Sequence, residues 1–370
     1  MKLNKETQND FSAAFQSSLH EKRLLAIYDL SVQPYSIGDV IVFLEGSLVM
    51  SELLGIDKID MCFICDTDRP PTDPIFNKVL GNNKHFYNLF LILPLIQLNP
   101  RLSSIFVFDS YSRMQQFISD NSEQYHIWPT IEQLERKEYT YYQIFHTLHN
   151  YYLQNHSIPQ LIVGDALRSW ADKFYQERVF PDLPVTVNLR NNSYFHEHRN
   201  ADIDIWIKFF QYCENRYPVK FVIICAFSEI DERLRKPPNV IIAKDYNTNV
   251  IQDLALIQSA AFHMGTSSGI MSLIAFTKQP YFITKCFLTE SNLLSHIHRY
   301  RGALIKISED FLSFSFASSL QRLTARAETK ELLISEFERI WTSVDWNAMK
   351  TKEHNHEKSD AKQSPLSWLQ

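Results

Sequence analysis

Short apolar runs recur along this chain, each followed by a longer amphipathic stretch or a polar turn. Residues 24–30 form the first run, and its largely apolar character, interrupted only by Asp29, predicts a buried strand. Pro34 and Gly38 punctuate the loop that follows. Residues 39–54 predict a helix that is apolar on most faces and ends with Gly55 as its C-cap. Residues 59–65 predict the second strand. The alternation continues with a helix over 77–98, a strand over 104–108, a helix over 110–120, a long helix over 130–154, a strand over 161–163 and a helix over 166–176. Pro181 and Pro184 interrupt the pattern, and a domain boundary is expected there. A second series follows. Strands are predicted over 185–189, 219–226, 240–242, 261–263, 281–283 and 303–305. Helices are predicted over 201–217, 250–259, 269–276 and 328–344. Such alternation predicts an α/β fold with two Rossmann-like domains facing a cleft, residues 1–180 and 181–348. Residues 1–22 read as a polar lead-in and 349–370 as a disordered tail.

One stretch organises the second series: His263-Met264-Gly265-Thr266-Ser267-Ser268-Gly269-Ile270-Met271. Flanked by apolar runs, it reads as strand, small-residue turn, helix. Backbone N–H groups and hydroxyls at such a turn, above a helix N-terminus, attract phosphate or another anion. The chain has 8 glycines in 370 residues, and Gly265 and Gly269 both sit here. Sparing use of glycine marks a backbone need for close approach or unusual φ.

Composition narrows the function classes. The length suits two domains or one very large one. Apolar residues at 45% and charged residues at 21% are ordinary for a soluble globular chain. Aromatics at 13% suit large cores and sugar or base stacking equally. A net charge of -5, without dense Lys/Arg runs, argues against nucleic acid. Cys62 and Cys65 have C-x-x-C spacing inside an apolar run and lack a second pair. Buried thiols are therefore favoured over zinc, in a reducing cytoplasm. The first ten residues hold no apolar leader. The longest apolar run, residues 86–98, is shorter than the roughly 20 residues that span a bilayer. A cytoplasmic protein is expected. His354 and His356 make a weak metal pair in the tail, and neither metal nor cofactor is expected.

Several constellations could carry chemistry. Ser36-Ile37-Gly38-Asp39 follows the first strand, so Asp39 is either a general base or a helix N-cap, and spacing alone favours the cap. Arg190 ends the strand Val187-Asn188-Leu189, where its planar fork suits either phosphate or a neighbouring carboxylate. Arg199-Asn200-Ala201-Asp202 opens the next helix. Asn200 or Asp202 would cap it, and Arg199 would add a second positive charge. Asp66-Thr67-Asp68 follows the second strand and could hold a divalent metal, although a polar loop is favoured. The chain lacks the P-loop, the G-x-S-x-G elbow and G-x-G-x-x-G, so phosphoryl transfer, the usual hydrolase and ordinary dinucleotide binding lose weight.

Over about residues 185–283 the chain resembles a family of bacterial glycosyltransferases of GT-B architecture found with surface-polysaccharide genes. The residues that carry the resemblance are Val187-Asn188-Leu189-Arg190, Tyr194, Arg199-Asn200-Ala201-Asp202-Ile203, Asp245-Tyr246, the 262–269 stretch and Pro280. The Gly265–Gly269 turn is also similar to the G-[ND]-[ST]-G turn of heptosyltransferases, and Ser36-Ile37-Gly38-Asp39 to their G-x-G-D loop. The resemblance implies a nucleotide-sugar donor whose phosphates meet Arg190, Gly265, Thr266, Ser267, Ser268 and Gly269. Arg199, Asn200, Asp245 and Tyr246 would complete the donor site, and Asp39 would be the base. It implies a glycan or lipid-linked acceptor, with peripheral membrane association as an option, and no metal. Asn188 stands where the family tends to have His, and Ile224-Cys225-Ala226-Phe227 where it tends to have Arg-x-Gly. These departures favour the alternative, a non-catalytic nucleotide- or sugar-binding homologue. A metal-dependent GT-A enzyme using Asp66 and Asp68 is a third reading.

Overall fold

The structure is a computed structural model that describes residues 22–66, 68–69, 81, 88–136, 141–193, 197–286, 297–344 and 346. Tyr194, Thr67, the lead-in before residue 22 and the tail with His354 and His356 lie outside the described residues.

Strand β1 (Arg23–Asp29) is buried along nearly its whole length. It pairs in parallel with β2 (Ile59–Ile64) and β4 (Tyr125–Trp128), and β2 pairs in parallel with β3 (Leu102–Phe108). The first sheet therefore has the order β3-β2-β1-β4. Helix α1 (Ile37–Leu54) follows β1 and is buried around most of its circumference, as its all-round apolar sequence requires. Gly55 ends it at φ 65, donating to Glu52 and Ser51 carbonyls. This is the left-handed cap that glycine adopts without a Cβ penalty. Helices α2 (Tyr111–Asp120), α3 (Ile131–Glu135), α4 (Tyr141–Asn155) and α5 (Asp165–Arg178) complete the first half.

The second half contains β5 (Leu183–Asn188), α6 (Ile203–Cys213), β6 (Val219–Ile224), β7 (Val240–Ile242), α7 (Val250–Ser259), β8 (Phe262–Thr266), α8 (Met271–Ala275) and β9 (Tyr281–Thr284). Three short strands and a closing helix follow: β10 (Leu304–Lys306), β11 (Leu312–Phe314), β12 (Gln321–Leu323) and α9 (Lys330–Ser343). The sheet order is β10-β11-β12-β9-β8-β5-β6-β7. Strands β5 to β9 and β12 run parallel, while β10 and β11 form an antiparallel margin. In both sheets the strand order reverses beside the first strand, as doubly wound folds require.

Four expected elements differ. Of the helix expected over 77–98, residues 88–98 form a π turn (Asn88–Ile92) followed by a 3-10 turn (Leu93–Leu98), and residues 77–80 and 82–87 lie outside the described residues. Residues 161–163 are not a strand: Gln258 bonds the Val163 N–H and the Leu161 carbonyl through its amide. Those bonds replace a sheet ladder. The long helix over 130–154 is two helices, α3 and α4. The helix after the Gly265 turn has five residues. Helix α5 reads with the first half in sequence but lies on α7 of the second, with the Tyr175 hydroxyl donating to the Leu256 carbonyl at 2.5 Å. Helix α4 crosses the same seam. Phe145 stacks on Phe314 at 4.9 Å, and His149 Nδ1 meets Ser315 Oγ at 2.7 Å. One apolar core accordingly runs through both halves, from Phe43 and Val49 to Leu254 and Ile274.

Candidate active site

The ends of β5 and β8 lie side by side, with Asn188 in register with Gly265. This is the point where the strand order reverses, the place at which ligands settle in doubly wound sheets. A Cβ on Gly265 would fall 2.5 Å from the Asn188 carbonyl oxygen, so only glycine lets the strands close. Thr266 Oγ1 accepts from the Arg190 N–H at 3.1 Å. Asn188 donates its amide to the Ile224 carbonyl at 2.8 Å and accepts from the Ser268 hydroxyl. Its side chain thus ties the ends of β5 and β6 to the turn after β8. Ser267 donates its N–H to the Thr284 carbonyl at 2.9 Å.

The helix-dipole expectation needs correction. Helix α8 is too short to sum much of a dipole. Its leading N–H groups are also taken by the turn: Met271 donates to Ser268, Ser272 to Gly269 and Leu273 to Ile270. The positive potential here comes from side chains.

Arg190 follows β5 and is 7% exposed. Arg199 sits in a short 3-10 turn, Glu197–Arg199. Burial lowers the pKa of both guanidinia, Arg190 acts on Arg199 as a like charge, and Glu229 is the carboxylate that steadies Arg190. Arg199 Nε is buried and meets no partner among the described residues. Two like charges within mutual reach, Arg190 buried and Arg199 half-buried, are costly unless an anion joins them.

The loop between the two arginines is closed at its base. Ala201 donates to the Arg190 carbonyl at 2.8 Å. The Asn200 amide is used on both atoms by the Asn192 backbone, at 2.9 Å each. Asn200 therefore acts as a loop clamp, and Asp202 caps α6 by accepting from Ile205 N–H at 3.2 Å. Asp245 and Tyr246 follow β7, two strands from β5. Asp245 pairs with Arg235, while Tyr246 packs edge-on against Phe174 at 5.2 Å with Arg178 over its ring.

The first sheet meets this site at a glycine contact. A Cβ on Gly38 would fall 3.0 Å from Gly269 Cα and 3.1 Å from Ser272 Oγ. The two loops singled out by sequence therefore touch, and the carboxyl ends of the two sheets face each other. Asp39 is not the N-cap. Ser36 fills that position and accepts from the Asp39 N–H at 3.3 Å. The Asp39 carboxylate is close enough to raise the Tyr141 phenol, whose pKa is raised chiefly by burial. Tyr141 is hydrogen-bonded to Ser272 and Tyr300. Arg199 also lies within electrostatic reach of Tyr141. Asp39, Tyr141, Ser272, Tyr300 and Arg199 form one cluster at the seam. No motif marks Tyr141, Ser272 or Tyr300, because only the fold brings three such distant positions together.

Asp66 belongs to the loop architecture. Its two oxygens accept from the Asp68 and Tyr111 N–H groups, each at 2.9 Å, and the Tyr111 bond is the main cause holding its carboxyl below the usual range. Cys62 is buried and Cys65 half-buried, both as free thiols, with burial pushing the Cys65 thiol up to about 11. Among the described residues, no three His, Cys, Asp or Glu side chains converge as a metal site, and no helix is long and apolar enough to cross a membrane.

No protein-family model and no curated relative matches the chain. Solved structures do. A glycosyl transferase family 9 protein from Veillonella parvula DSM 2008 aligns with a TM-score of 0.52 at 12% identity, over 88% of this chain and 99% of that one. The ADP-heptose lps heptosyltransferase II of E. coli aligns with a TM-score of 0.51 at 10% identity, over 87% and 99%. At such identities the likeness is one of fold: this chain has the two-sheet, GT-B type architecture of these glycosyltransferases.

Proposed function

We propose that the protein is a glycosyltransferase that moves a sugar from a nucleotide-sugar donor to a glycan or lipid-linked acceptor in surface-polysaccharide synthesis. The observation that carries this reading is the arginine pair, Arg190 buried and Arg199 half-buried, beside the Gly265 turn at the point of strand-order reversal. The fold neighbours support it, one of them being named for ADP-heptose. Residues 181–348 would bind the donor and residues 1–180 the acceptor. A cytoplasmic protein, peripherally associated with a membrane when the acceptor is lipid-linked, fits this role.

In the proposed reaction Asp39 takes the proton of the acceptor hydroxyl as its oxygen bonds to the anomeric carbon. The bond from that carbon to the diphosphate oxygen breaks, and its electron pair leaves with the diphosphate. Arg190 and Arg199 meet the charge that develops there. Holding both substrates across the Gly38–Gly269 seam supplies the proximity.

A non-catalytic nucleotide-binding homologue is the second reading. It is favoured by Asn188, whose side chain is committed to Ile224 and Ser268. Incubation with nucleotide sugars and an acceptor extract separates the two. Transfer by the wild type, lowered about a hundredfold or more in Arg190→Ala with an unchanged melting temperature, supports the enzyme. Nucleotide binding without donor consumption supports the homologue.

A further inference from the structure

Two buried charges that no sequence motif marks stand behind Arg199. Lys285 follows β9, and its backbone sits at φ 55, a left-handed conformation unfavourable for any residue with a Cβ. Its ammonium donates to the Asn200 carbonyl and lies 2.9 Å from Glu328 Oε2, with both side chains nearly or wholly buried. Glu328 Oε1 accepts from the Asp202 N–H at 2.6 Å. The pair therefore grips the backbone at 200 and at 202, immediately after Arg199. Cys286, the neighbour of Lys285, lies within electrostatic reach of Arg199.

A buried ion pair seldom adds net stability over apolar residues of the same volume. A strained backbone inside such a pair points to geometry as its role. Here the geometry opposes a force: Arg190 and Arg199 repel each other. We propose that the Lys285–Glu328 pair is a positioning element that holds Arg199 beside Arg190, so that both guanidinia meet one diphosphate. This rests on the reading of the two arginines as donor-phosphate ligands. Neither Lys285 nor Glu328 touches the substrate.

The test is a double-mutant cycle on the full chain, read by calorimetric titration with inorganic pyrophosphate. Arg199→Ala weakens binding. Glu328→Gln, which keeps the shape and an acceptor for Asp202 but removes the charge, weakens binding about ten-fold in the wild-type background. In the Arg199→Ala background it adds nothing. Thermal melts check folding. If Glu328→Gln does not fold, the neutral double variant Lys285→Met/Glu328→Gln carries the same comparison without burying a lone charge. Unchanged affinity in Glu328→Gln, or an equal loss with and without Arg199, overturns the positioning role and leaves the donor reading standing. Unchanged affinity in Arg199→Ala overturns the assignment of Arg199 as a phosphate ligand, and the positioning role with it.

Discussion

Gly265 lets β8 close on β5 because it lacks one carbon. Gly265→Ala would place that carbon 2.5 Å from the Asn188 carbonyl oxygen, which is backbone and cannot swing aside. The variant should lose about 1–3 kcal/mol, as overpacked sites do, read as a lower urea midpoint. It should also lose pyrophosphate affinity, because Asn188 positions the turn. His263, two residues earlier, is fully buried in β8 with Nδ1 3.0 Å from Thr186 Oγ1. Burial pushes its pKa down to about 3 from 6.5. The folded state therefore keeps it neutral, while the unfolded chain takes up a proton below 6.5. Stability from this group is present above pH 6.5 and is lost as pH falls from there toward 3, by up to about 1.4 kcal/mol per unit. His263→Asn keeps a polar atom for Thr186 and removes the titration. Its unfolding free energy should vary less between pH 6.5 and 4.5 than that of the wild type. Equal slopes in denaturant melts would exclude His263 as the source.

Among the elements, α5 on α7 is the clearest join between the halves. Tyr175→Phe removes the hydroxyl and leaves the buried Leu256 carbonyl one bond short. About 1 kcal/mol should be lost, with faster hydrogen exchange in α5 and α7 than in β1. Exchange spread evenly over the molecule would show that the join is not local. Much of this architecture was legible in the chain. Buried parallel strands are mostly apolar runs, so β1, β2, β5, β6 and β9 stand out, and Gly55 marks the end of α1. The missed elements are short or resemble something else. Strand β4 is four residues with His126 exposed, and β11 and β12 are three residues each. The apolar run at 161–163 has the composition of a strand, but its backbone is bonded by the Gln258 side chain and by Leu98. At the site, Gly265 and Arg190 were legible because a turn and a strand end are local. Tyr141, Ser272 and Tyr300 were not, because three helical or loop positions become neighbours only after the halves pack.

At the scale of the whole molecule, two sheets turn their carboxyl ends toward one another and touch through Gly38 and Gly269. The second sheet brings two arginines to that seam, and the first brings Asp39 and Tyr141. The central claim is that this seam binds the diphosphate of a nucleotide sugar. A ligand that binds only the folded protein raises its stability by about 2.7 kcal/mol at a hundredfold excess over Kd. The most direct measurement is thermal melting of the wild type and Arg190→Ala against a panel of nucleoside diphosphates and their sugars. The account predicts that at least one compound raises the wild-type melting temperature and that the rise disappears in Arg190→Ala. No shift with any compound, or an equal shift in the variant, would contradict it.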